Sequence, residues 1–67
     1  MKPGPSRALR SALRQTCGAL RKTNEALWPA DLPAAQRRVL EAVRLTQLEL
    51  QAVYVGLLTE ASERRAA

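Results

Sequence analysis

The tripeptide Ala-Leu-Arg at residues 12–14 recurs seven residues later at 19–21, and its first two letters return as Ala26 and Leu27. A seven-residue return keeps Leu13, Leu20 and Leu27 on one stripe of a helix, the pattern with which one helix meets another. The chain is therefore predicted to be all-α. Leu9 extends the stripe, while Thr16 and Thr23 hold the intermediate seam positions where a strong zipper has leucine. Ala12, Ala19 and Ala26 flank the seam, so a neighbour can approach closely on that side. Gly18 weakens the helix by up to about 1 kcal/mol.

The run Trp28-Pro29-Ala30-Asp31-Leu32-Pro33 interrupts this pattern, because Pro29 and Pro33 cannot both sit inside one helix without losing backbone hydrogen bonds. The predicted organisation is a single domain, 1–67: a flexible tail at 1–5, helix 1 over about 6–27, a turn at 28–33, and helix 2 over about 33–64. Ser6 is expected to cap helix 1 and Asp31 helix 2, with Pro33 in the first turn of helix 2. So short a connection favours antiparallel neighbours, hence a two-helix hairpin. Trp28 is expected to plug the open end of that hairpin; the alternative is a hot spot for a partner.

Helix 2 carries two apolar faces. Val39, Val43, Leu50, Val53 and Leu57 fall in a narrow arc, with Leu40, Tyr54, Leu58 and Ala61 on its shoulder, and this arc is expected to pack on helix 1. Nearly opposite, Leu45, Leu48, Ala52 and Val55 form a second seam; with Leu58 they are the candidate partner-binding residues. A hairpin covers only one such face. Self-association into a four-helix bundle and a dedicated hetero-partner both remain open. Helix 2 is also the longer, with a predicted overhang of roughly 15 Å near Gly56 to Arg64. There Leu57, Leu58 and Ala61 would need cover from the N-terminal tail or another chain, and Gly56 reads either as a close approach or as a tolerated surface glycine.

With 67 residues the chain has room for one core of little depth. Small domains are commonly rescued by disulfides, a metal or another chain, and a composition with one cysteine and no histidine leaves the last of these. Without imidazole, proton transfer near neutral pH lacks its best-suited side chain, so the chain is read as non-enzymatic, with no catalytic, cofactor-binding or metal-binding residue expected. Ser6, Ser11 and Ser62 have no evident base, and Glu60 and Glu63 beside Arg64 and Arg65 read as a solvated, salt-bridged helix end. Cys17 has no second thiol; it is read as a small, semi-buried side chain, and a lone thiol fits a reducing compartment.

Charge is uneven. Residues 1–24 hold Lys2, Arg7, Arg10, Arg14, Arg21 and Lys22 with no acid, within a chain of net charge +5. Arg7, Arg14 and Arg21 repeat every seventh residue beside the leucine seam; with Arg10 and Lys22 they make the candidate basic stripe. Arginines at the start of a helix oppose its dipole, and a broken local rule points mildly to function. Such a stripe suits phosphates or an acidic protein surface, although it can equally be a solvated face. Arg-rich, acid-free composition also marks organellar transit peptides, but here the leucine register runs on past that segment to Leu27. No apolar run reaches the length of a membrane span and none follows Lys2 as a signal-peptide core, so a cytoplasmic location is expected. A membrane partner is not expected, because helix 1 lacks aromatic anchors.

Two functions of different class follow. The first is a protein-interaction module, acting as an adaptor, a chaperone-like protein or an inhibitor, whose apolar seams bind another chain as homodimer or hetero-complex. The second is a dimer binding nucleic acid through helix 1; it fits the pI near 10.7, although the chain has no helix-turn-helix and only one Trp and one Tyr for stacking.

Overall fold

The computed structural model describes residues 5–66, and its two helices, α1 (Pro5–Ala26) and α2 (Ala34–Ala66), pack side by side as an all-α hairpin. The flexible tail expected at the N-terminus falls on residues 1–4, outside the described residues, except for Pro5, which opens α1. Proline suits a first helical position because its missing N–H would have no partner there. Ser6 thus lies inside the first turn rather than at the cap.

On α1 the expected seam faces α2. Ser6, Leu9, Leu13, Thr16, Leu20 and Leu27 are half-buried and Thr23 is buried, at successive steps of three and four. The two threonines fit an apolar seam by turning their hydroxyls onto their own helix: Thr16 Oγ1 donates to the Ala12 carbonyl at 2.8 Å and Thr23 Oγ1 to that of Ala19 at 3.0 Å. Each then presents its methyl group to the neighbour.

On α2 the expectation fails by about a quarter turn. The stripe facing α1 is Leu40, Gln47, Gln51, Tyr54, Leu58 and Ala61, all half-buried. The arc that was to pack there, Val39, Val43, Leu50, Val53 and Leu57, stays 41% exposed or more at every position. What was the shoulder is the contact, completed by two glutamines. The seam is consequently polar for its position: among the described residues no hydrophobic side chain is buried, Thr23 alone is, at 7% exposure, and Gln47 Oε1 is buried without a hydrogen-bond partner.

The turn is held by backbone and arginine together. Leu27 N–H donates to the carbonyls of Thr23 and Asn24, both at 3.1 Å, and Trp28 N–H to that of Glu25 at 3.2 Å, a tightening common at helix ends. Leu32 N–H then closes onto the Pro29 carbonyl at 3.4 Å. From α2, Arg37 reaches back, Nη1 to the Leu27 carbonyl at 3.5 Å and Nη2 to that of Pro29 at 3.0 Å. Pro33 carries the first carbonyl of α2, accepting from Arg37 N–H at 2.9 Å, so the helix starts at Ala34 and Asp31 stands upstream, exposed, rather than capping it.

Gln51 Nε2 donates to Cys17 Sγ at 3.3 Å and sets the register. Seven residues along each helix from that pair, Leu58 comes level with about residue 10 of α1. Leu58 and Ala61 are accordingly half-buried within the hairpin. The extra length of α2 lies mostly at the turn end, beside residues 28–33, and the expected overhang at Gly56 to Arg64 shrinks to the last turn.

Candidate functional site

A slab 51 × 22 × 14 Å has two broad faces, and here they differ in chemistry. Cys17 lies on the flank of α1 that carries Arg10, Arg14 and Arg21, and its bond to Gln51 fixes which flank of α2 looks the same way. At 3.6 residues per turn that flank is the one with Arg44, Leu48 and Val55. A shallow open groove along this side confirms the pairing, being lined by Cys17, Leu20, Arg21, Asn24, Glu25, Trp28 and Arg44.

The first face is thus basic and apolar at once. Arg7, Arg10, Arg14 and Arg21 are exposed along α1, and Leu45, Leu48, Ala52 and Val55 are exposed along α2, Leu45 to 62% and Val55 to 48%. The second α2 seam therefore exists as a surface. Leu58 is not part of it, since it turns toward α1. Lys22 does not join the arginines either: one residue after Arg21 it stands about 100° further round the helix, at the rim of the other face.

Two expectations about this face are corrected. Trp28 does not plug the hairpin; it is 77% exposed, because the turn stapled by Arg37 ends the helix before the ring can fold under it. Cys17 is exposed rather than semi-buried.

The second face is nearly free of charge. The flank of α1 away from Cys17 is Ala8, Ala12, Ala19 and Ala26, and the matching flank of α2 is the valine and leucine arc displaced from the seam. Both halves of this face are legible in the sequence, although helical periodicity places the α2 half in the interior. Ala12, Ala19 and Ala26, which flank the leucine seam in the sequence, are joined here by Ala8 and leave this side of α1 low.

At the far end, Glu60 and Glu63 are exposed, and among the described residues neither forms an ion pair, which corrects the salt-bridged reading of that end. Among the described residues no three His, Cys, Asp or Glu side chains group as a metal site would require, and no helix is long and apolar enough to cross a membrane. No family model, curated protein or solved structure matches this chain.

Proposed function

We propose that the chain is a non-enzymatic protein-interaction module, one that holds a partner on the outward surface of α2. The observation that carries this reading is an inversion: Gln47, Gln51, Thr16 and Thr23 occupy the seam between the helices, while Val and Leu side chains of α2 face out. Apolar area left in water is the main source of association free energy. Leu48 and Val55, bordered by Arg14, Arg21 and Arg44, suit an amphipathic helix whose apolar stripe is flanked by acids.

The test places a photoreactive group at Ala52 in the source cell. Proteins cross-linked by the otherwise wild-type chain are expected to be lost with Leu48→Glu plus Val55→Glu and weakened by charge reversal at Arg14 and Arg21. An unchanged cross-linking pattern would overturn the reading.

A second reading rests on Trp28, which stands beside Arg21 and Arg44 in the groove with its ring in solvent, an arrangement suited to stacking a base between phosphate contacts. Binding of a labelled single-stranded oligonucleotide should then fall steeply with salt, with a slope of about 0.7 per phosphate contact in logarithmic units. It should also weaken with Trp28→Ala. A flat salt response removes this reading and leaves the first.

A further inference from the structure

We propose that the charge-poor face of the hairpin is where two copies of this chain meet, forming a four-helix bundle. The proposal rests on the reading above only in treating the outward surface of α2 as a binding surface; it assigns the two faces different occupants.

Charge decides between the faces. A two-fold contact sets each patch against the same patch, so the arginine face would gather Arg10, Arg14, Arg21 and Arg44 of both copies into one interface. On the opposite face, charged groups stand at the rim, as Lys22, Glu49 and Glu60, and near the end of α2, as Arg64. Thr46, in its middle, hands its hydroxyl to the Ala42 carbonyl at 3.2 Å and leaves its methyl outward. The middle of the face thus carries no charge to resist self-contact.

Shape points the same way. The α1 half of the face is a hollow made by alanines, and the α2 half is a ridge made by Val39, Val43, Leu50, Val53 and Leu57. A two-fold axis along the hairpin lays the ridge of each copy in the hollow of the other, with both turns at the same end. In the register set by Cys17 and Gln51, a rise of about 1.5 Å per residue places Ala26 between Val39 and Val43 of the second copy, and Ala12 between Val53 and Leu57. Ala26, Ala19 and Ala12 are then each within one residue of level with Val43, Leu50 and Leu57 of the second copy, so the large side chains of one helix stand over the small ones of the other.

The area suffices. Of 5584 Å² of accessible surface shared between two broad faces, either face can supply the roughly 800 Å² per partner typical of stable interfaces. It also leaves both arginine faces on the outside of the bundle, open to the partner proposed above.

The test is light scattering with circular dichroism on the full chain at several concentrations. Wild type is expected to be a dimer. Val43→Glu with Leu50→Glu should raise its Kd by about 10,000-fold, since each apolar side chain removed is worth roughly tenfold and a two-fold dimer loses each of the two twice. Leu48→Glu with Val55→Glu should leave the dimer intact. A monomeric wild type overturns the proposal, and so does a dimer broken by the Leu48 and Val55 pair or indifferent to the Val43 and Leu50 pair. If the glutamate pair loses its helical signal, Val43→Thr with Leu50→Gln decides: a helical protein with dimer Kd raised about tenfold or more supports the interface, and an unchanged Kd overturns it. A monomer whose Ala52 cross-links still depend on Leu48 and Val55 would sink self-association alone; a dimer with unaltered cross-links would sink only the reading of the outer face.

Discussion

Gln51 fastens α2 to α1 by donating its side-chain amide to the sulfur of Cys17 at 3.3 Å, a bond between two residues that belong to neither helix's leucine inventory. Sulfur is a weak acceptor and Cys17 is exposed, so the bond fixes register more than it adds stability. Cys17→Ala should shift the urea midpoint by an amount equivalent to less than about 0.5 kcal/mol. A maleimide should label the thiol in the folded protein, and resistance to labelling under native conditions would contradict its exposure.

Gln47 is the opposite case. Its Oε1 is buried without a hydrogen-bond partner in the middle of the seam, and an unsatisfied buried acceptor costs on the order of 1–3 kcal/mol. Gln47→Leu removes that group and lays an apolar side chain against α1. The variant should gain about 1–2 kcal/mol in chemical denaturation, with some loss of specificity in how the helices register.

Arg37 ties the start of α2 to the end of α1 through the carbonyls of Leu27 and Pro29. Arg37→Ala should cost about 1 kcal/mol, within the range for a hydrogen bond from a charged donor that is partly exposed. Arg37→Lys should recover little of it, because a single ammonium cannot span two carbonyls as the guanidinium fork does. Amide exchange at Leu27 and Trp28 reads the same loss locally.

Gly18 and Gly56 both face open space: a Cβ built at either meets nothing within 4 Å. Gly56 therefore marks no close approach within the hairpin. Gly18→Ala and Gly56→Ala should each stabilise by about 0.5–1 kcal/mol through helix propensity. A destabilised Gly56→Ala at concentrations where the chain self-associates would reveal a neighbour at that position.

The α1 half of this architecture was legible because its large apolar residues occupy one stripe, with nothing bigger than alanine or cysteine among the apolar residues elsewhere, so periodicity has a single solution. Leu9, Leu13, Leu20 and Leu27 with Thr16 and Thr23 face α2 as their spacing requires. In α2 apolar residues flank the contact on both sides, and periodicity selects the most apolar arc, which is the wrong one when the inner stripe holds Gln47 and Gln51. The overhang was misplaced for a related reason. Length alone gives the difference between the helices but not the end at which it appears, which depends on the Arg37 staple and the Cys17 to Gln51 register. Of the candidate interaction surface, Leu45, Leu48, Ala52 and Val55 are exposed as their separation from the main arc implied, whereas Leu58 and Lys22 sit one helical step too far to share it.

A hairpin with its glutamines inside and its valines outside makes the chain its own gauge of supply. In the dimer proposed above, paired copies hide Val39, Val43 and Leu50, which are exposed in the single hairpin; copies too dilute to pair keep them in water, where quality-control proteins recognise apolar chain. Its thermal midpoint should accordingly climb with concentration, and its lifetime in the cell should lengthen as more of the chain is made.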